Sequence, residues 1–258
     1  MATANIKTQV KIAELLSLGF SDEYKAPPRR LIVSSGGREK TGKSHFALTA
    51  PPPIVYFNID IGTEGVVDKF QAEGKQVLVY DVRVPRDAKQ DIYVPMWTDL
   101  KVRLGKAYGL GEGTVVWDTS SEAYELARLA RFGKLTQVMP HNYVEVNNEW
   151  RELLRQAYDS TMNTVFIHKM KPKYINNART GEYEISGFSE MDYLAQVNLV
   201  HYREDTEDGT VFSVYIKDCR QNPGIAGETL HGLPLPVGEK RTFDPLCNFE
   251  MLLGMVHD

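Results

Sequence analysis

Gly37-Arg38-Glu39-Lys40-Thr41-Gly42-Lys43-Ser44 decides how this chain is read, because it satisfies G-x-x-x-x-G-K-[ST] at every fixed position. Residues 31–34, just before it, are a short apolar and partly β-branched run that predicts a buried strand. A helix is expected after the loop, stopped by Pro51, Pro52 and Pro53. Strand, glycine-rich loop and helix in that order build a phosphate cradle. The glycines let backbone N–H groups turn inward, and the helix N-terminus adds partial positive charge. Lys43 is expected to reach the β- and γ-phosphates and the Ser44 hydroxyl to ligate Mg²⁺. Arg38, Glu39, Lys40, Thr41 and His45 complete the expected contact set, with ATP and Mg²⁺ as the ligands.

Such a cradle needs a carboxylate at the end of a neighbouring strand to hold the metal's water shell. The run Val115-Val116-Trp117-Asp118 supplies one at Asp118, whose bland alternative is to cap the following helix. Hydrolysis also needs a group that orients water. The second predicted strand, 54–59, leads into Asp60, and Glu64 follows a short turn later. Parallel strands deliver their C-terminal ends to one crevice, so either carboxylate can serve, with Asp60 preferred. Glu64 could instead be a first-turn residue favoured by the helix dipole.

Working outward, strand and helix patterns alternate through the first two-thirds, which predicts an α/β fold with a mainly parallel sheet and crossover helices. Strands are expected at 77–84, 114–118 and 164–168, and helices at 99–108, 121–132 and 143–162. Residues 196–203 and 210–217 flank Asp208-Gly209, a hairpin signal, so the sheet should finish in antiparallel edge strands. The organisation reads as an N-terminal helix and linker (1–30), a core (31–223) and a C-terminal extension (224–258) that packs on the core or on a neighbour. A chain of 258 residues with ordinary apolar and charged fractions can bury a full core. No apolar run approaches membrane-spanning length, and residues 1–11 lack a signal-peptide stretch, so a cytoplasmic protein (host cytoplasm if viral) is expected. Cys219 and Cys247 suggest free thiols, and the histidines show no metal-ligand spacing. A formal charge of −4 means that any nucleic-acid contact must come from a local basic patch.

The order of these elements resembles the RecA-like ATPase core, particularly the short RecA-like ATPases of phages, from about residue 31 to 223. In that family the strand after the loop helix ends in a catalytic carboxylate, usually Glu, which falls here on Asp60. The run Val165-Phe166-Ile167-His168-Lys169-Met170-Lys171 is similar to the strand that senses the γ-phosphate and releases a DNA-binding loop, making His168 or Lys169 the sensor. Gly187-Phe188-Ser189 through Ala195-Gln196-Val197 resembles the segment that follows. Ile216-Lys217-Asp218-Cys219-Arg220 resembles a strand-end basic pair that reaches a neighbouring subunit's ATP site, although Lys217 and Arg220 are spaced one residue wider than usual. The resemblance implies DNA-stimulated ATP hydrolysis in recombination or single-strand annealing, by a ring or filament.

Residues 169–189 carry Lys169, Lys171, Lys173 and Arg179 among Tyr174, Tyr183 and Phe188, with Asn176, Asn177 and Gly181 making the segment loop-like. Cations that follow a phosphate backbone and rings that stack bases suit single-stranded DNA. A solvated loop or hairpin whose lysines serve only solubility is the alternative. Two other functions fit the same cradle: a small-molecule (nucleoside-type) kinase, and a switch in which nucleotide controls assembly without significant turnover.

Overall fold

The computed structural model describes residues 2–23, 28–60, 65–85, 88–135, 138–176 and 178–258. Its strands are β1 (Ile32–Gly37), β2 (Ile54–Asn58), β3 (Val77–Asp81), β4 (Thr114–Asp118), β5 (Asn163–His168), β6 (Met170–Ile175), β7 (Ala178–Ile185), β8 (Val197–Thr206), β9 (Gly209–Cys219) and β10 (Thr229–His231). Its helices are α1 (Ala2–Ser17), α2 (Lys43–Leu48), α3 (Val67–Ala72), α4 (Gln90–Tyr108), α5 (Ser120–Phe132), α6 (Val144–Asp159), α7 (Met191–Leu194) and α8 (Phe249–His257).

Eight strands form one sheet in the order β10-β9-β8-β1-β5-β4-β2-β3, and β6 pairs with β7 as a separate hairpin. β1, β4 and β5 are buried along their whole length, as strands covered on both faces must be. β8, β1, β5, β4, β2 and β3 run parallel, whereas β9 pairs antiparallel with β8 and β10 with β9. This is the mainly parallel arrangement with an antiparallel edge that the sequence predicts. β5 lies between β1 and β4, so the Asp118 strand is one place removed from the loop strand and not its immediate neighbour. Position in a sheet depends on long-range pairing, which local pattern does not encode.

The sheet separates two apolar layers. On one face, α4, α5 and α6 bury Trp97, Leu126 and Trp150 against Phe57, Trp117 and Phe166. Helix α6 reaches this layer because Val146, Trp150, Leu153, Leu154 and Ala157 recur at helical spacing on one side. On the other face, α2 and α8 pack Phe46, Leu48, Phe249 and Leu252 against Val33, Val165 and Ile167. The C-terminal extension therefore docks on its own core. Thr49 Oγ1 accepts the Phe249 backbone N–H at 2.8 Å, and Asn222 Nδ2 donates to the Met255 carbonyl at 2.9 Å.

Two elements differ in extent from the sequence expectation. Helix α4 begins at Gln90 and carries Pro95 inside it, where the sequence reading starts the helix only at residue 99. Residues 169–189 are mostly the β6–β7 hairpin and not an open loop, with Asn176 in a left-handed conformation at its turn (φ 51°). Across it Lys171 meets Glu184 at 3.3 Å and Lys173 meets Glu182 at 2.7 Å.

Trp150 is 1% exposed and stacks parallel to Trp97, with Trp117 and Tyr124 edge-on to its ring. Trp150→Ala should therefore cost roughly 3–5 kcal/mol of folding stability, read from a urea denaturation midpoint.

Candidate nucleotide site

The C-terminal ends of β1, β5, β4 and β2 meet at one edge of the sheet, where Gly36 lies beside His168, Ile167 beside Asp118, and Asp118 beside Asn58. Gly37 ends β1 in a tight place. A Cβ there would fall 2.8 Å from Thr41 Oγ1 and 2.9 Å from His201 Cβ and its carbonyl oxygen, so only glycine lets the chain turn beside β8. Gly42 takes a left-handed conformation (φ 84°) just before α2 starts at Lys43. The loop thus exposes its amides at the helix N-terminus, where an anion is favoured.

Lys43 folds over this loop, its Nζ donating to the Gly37 carbonyl at 2.9 Å and the Arg38 carbonyl at 2.5 Å. Burial lowers its pKa, while nearby Asp118 and Glu39 oppose that shift. Ser44 Oγ donates to Asp118 Oδ2 at 2.5 Å, and the Tyr56 hydroxyl donates to the same oxygen. Asp118 is buried, and desolvation raises its pKa despite these donors and the charge of Lys43. Tyr56 is a site residue that the sequence reading missed. In a strand of apolar neighbours it reads as core, and only the sheet order reveals its reach to Asp118.

Asp60 lies just beyond β2. Its Oδ2 is 2.8 Å from Lys169 Nζ, and the same ammonium meets Glu122 Oε1 at 2.6 Å. Burial pulls the Lys169 pKa down, but bonding to Asp60 and Glu122 outweighs it and leaves the pKa raised. Glu122, on the first turn of α5, was not singled out in the sequence because it also reads as an ordinary dipole-favoured residue. Together Gly37, Lys43, Ser44, Asp60, Asp118 and Lys169 line a cleft of about 640 Å³, with Tyr183 of β7 at its rim. The Arg38 guanidinium sits 5.2 Å from the Tyr183 ring centre, so the hairpin touches the phosphate loop directly.

Other sequence candidates fall elsewhere. Glu64 lies outside the described residues. His168 is 1% exposed and follows Phe166 in the strand's alternation, so its ring points into the α4–α6 layer and not into the cleft. Neither ring nitrogen of His168 has a hydrogen-bond partner, and burial lowers its pKa to about 4. Lys217 and Arg220 sit toward the opposite end of the sheet, because β9 runs antiparallel and Cys219 pairs with Val197 at the start of β8. There Lys217 Nζ meets Asp192 Oδ2 at 2.6 Å, and Arg220 donates to the Tyr193 carbonyl. On the hairpin, Tyr174 is exposed, and Arg179 donates to the Tyr183 hydroxyl at 2.9 Å. His45 is anchored through Nε2 to the Arg241 carbonyl at 2.8 Å.

The donor set fits a small hard cation: a buried carboxylate and a serine hydroxyl share one point, and Mg²⁺ favours one or two such oxygens plus phosphate. Ser44 and Asp118 are the residues that would hold it. Phosphate loop, lysine and metal-side carboxylate in this geometry define a P-loop nucleotide site of the ATPase class. A family model described as an AAA domain matches residues 31–198, and the chain belongs to that family. Among solved structures, the KaiC-like protein PH0186 of the hyperthermophilic archaeon Pyrococcus horikoshii OT3 is similar at 14% identity. That match covers 79% of this chain and 85% of that one, with a TM-score of 0.45. A search of curated proteins finds no match.

Lys43→Ala should weaken nucleotide binding by roughly tenfold or more in an equilibrium titration, since it removes the half-buried positive charge held over the phosphate loop. The buried histidines make a separate prediction. His168 and His201 have folded-state pKa values of about 4 and about 3, below the ordinary 6.5, so the unfolded chain binds their protons first. Stability is then full above about pH 6.5 and falls as pH drops toward 4, by on the order of 3 kcal/mol for His168. His168→Gln should flatten that slope in urea midpoints measured from pH 7 to 4.5.

Proposed function

We propose that this chain is a Mg²⁺-dependent ATP hydrolase that handles single-stranded DNA as an oligomer, in strand annealing or recombination. The observation that carries the coupling is Lys169. It leaves the cleft strand β5, pairs with Asp60 at 2.8 Å, and is followed at once by the β6–β7 hairpin.

Each group then has a task. The loop amides and Lys43 hold the β- and γ-phosphates, as the cradle geometry allows. The metal, when bound, offsets charge that develops between the phosphates. Ser44 and Asp118 keep its site oriented, and Tyr56 restrains the carboxylate. Asp60 orients the attacking water at the open side of the cleft. Its pairing with Lys169 ties the carboxylate to the hairpin, so a shift of the hairpin changes how freely Asp60 meets water. Differential contact of ATP and ADP with this pair biases the hairpin between states.

On the hairpin, Lys171 and Lys173 already pair with Glu184 and Glu182, so a DNA backbone has to compete with those carboxylates. Binding is accordingly modest and strongly dependent on salt. Exposed Tyr174 offers a stacking face. Self-association is supported by α1 and the turn after it, which expose Val10, Leu15, Leu18 and Phe20. In an oligomer Lys217, and Arg220 with it, would act on a neighbour's phosphates, exchanging Asp192 for that charge.

Phosphate release measured with and without single-stranded DNA, at low and moderate salt, tests this reading. Turnover should rise with DNA at low salt, lose the stimulation as salt increases, and vanish in Lys43→Ala. Turnover indifferent to DNA at low salt would contradict the coupling and favour a kinase-type acceptor. Tight ATP binding without release would favour an assembly switch.

A further inference from the structure

Asp118-Thr119-Ser120-Ser121-Glu122 carries the chain from the metal-side carboxylate into the first turn of α5. A serine at the start of a helix ordinarily serves that helix by meeting an unpaired backbone N–H. Here Thr119 does so, its Oγ1 accepting the Glu122 N–H at 3.3 Å. The Ser121 hydroxyl turns to a different part of the chain. Its Oγ accepts the Lys169 backbone N–H at 2.9 Å and donates to the Ser186 carbonyl at 2.6 Å. Lys169 and Ser186 are the residues on either side of the β6–β7 hairpin, and the Ser186 N–H donates to the Lys169 carbonyl at 2.7 Å. One buried hydroxyl therefore ties both ends of the hairpin to the helix that follows Asp118. We propose that Ser121, with Glu122 beside it, is a positioning residue that fixes the root of the hairpin and so holds Lys169 on Asp60. The inference rests on the reading of Asp60 as the group that orients the attacking water.

Neither residue lines the nucleotide cleft. Both border an adjoining hollow of about 550 Å³, together with Ser186 and Gly187, and Lys169 lines the hollow and the cleft alike. Any effect of Ser121 or Glu122 on the reaction must then pass through Lys169. That side chain is held at both ends. Its backbone N–H is fixed by Ser121, and its ammonium is shared between Asp60 at 2.8 Å and Glu122 at 2.6 Å. A lysine has many rotamers to lose when ordered, so an anchor at each end keeps the ammonium where Asp60 can use it. Without the Ser121 hydroxyl, the Lys169 N–H and the Ser186 carbonyl would each lose a partner at a buried place, which favours opening of the root.

Packing around the root points the same way. At Gly187, where the chain leaves the hairpin, φ is 118°, and a Cβ would lie 3.5 Å from Ser121 Cα and 3.6 Å from Tyr124 Cβ. On the other side, Met170 and Ile185 form the first cross-strand pair and lie against Gly36 at the end of β1. A Cβ on Gly36 would fall 3.1 Å from Met170 Sδ and 3.4 Å from Ile185 Cγ2. Among the described residues, β6 and β7 bury none of their own. The orientation of the hairpin is accordingly set at this root and by the contact of Tyr183 with Arg38. Asp118 and Ser121 are three residues apart, so whatever draws on Asp118 acts on the turn that holds the hairpin.

Steady-state phosphate release by the full chain with ATP and Mg²⁺, and backbone hydrogen exchange of the same proteins, test this. Ser121→Ala should lower kcat roughly five- to twentyfold and leave KM for ATP within about twofold, because the phosphate loop is untouched. Its amides at 169–171 and 184–187 should exchange roughly tenfold faster, while 114–118 and 163–167 keep wild-type protection and report an intact fold. Ser121→Thr retains the hydroxyl and should stay near the wild type in both measurements. Glu122→Gln should lower kcat in the same manner by removing the second carboxylate from Lys169. Because Glu122 is partly exposed, this variant decides the matter if Ser121→Ala unfolds. Wild-type kcat in both Ser121→Ala and Glu122→Gln overturns the inference and leaves the hydrolase reading standing. A fall in kcat of Ser121→Ala without faster exchange at the root also overturns it, since the hairpin would not be the route. If the wild type releases no phosphate, the hydrolase reading fails and takes this inference with it.

Discussion

The hydrogen bond from Ser44 to the buried carboxylate of Asp118 is the constraint around which the molecule is arranged. A carboxylate at 5% exposure is costly to keep charged unless donors meet it, and here Ser44 and Tyr56 meet one oxygen while Lys43 lies nearby. Each donor comes from a different part of the chain. Ser44 is set by the turn at Gly42, Tyr56 by β2, and Asp118 by β4. Holding them together requires the sheet order that inserts β5 between β1 and β4, and both apolar layers exist to keep that sheet buried. The phosphate loop is therefore a local motif whose contact with Asp118 depends on the whole fold.

That division explains what the sequence made legible. Gly37, Gly42, Lys43 and Ser44 announce themselves because their spacing is dictated by contact with a phosphate chain only a few ångströms away. Asp118 could be named because a buried strand ending in Asp is unusual without a task. Tyr56 and Glu122 could not, since their roles arise from strands and helices meeting across the sheet. His168 shows the reverse error: position after a sensor-like strand suggested a phosphate contact, but strand alternation turns its ring into the opposite layer. Residues 169–189 read as a loop from Asn176, Asn177 and Gly181, whereas β6 and β7 pair there as a hairpin with Lys–Glu contacts across the strands. Those pairs are visible only once the register is known.

The same geometry makes the cleft two-sided. On the β4–β2 side sit carboxylates, a lysine and the base of the hairpin; on the β8–β9 side sit the Phe46 and Phe212 rings and residues 233–247. The phosphate loop and α2 line both sides. Lys169 joins the first side to the hairpin, and Arg241 joins the second to the C-terminal extension.

The dependence of phosphate release on Mg²⁺ concentration, compared between the wild type and Asp118→Asn, is the decisive measurement of what Asp118 does. If Asp118 and Ser44 form the metal side of the site, the variant should lose most of its turnover and require far more Mg²⁺ for what remains. A variant with the wild-type Mg²⁺ curve and wild-type turnover would contradict that role for Asp118.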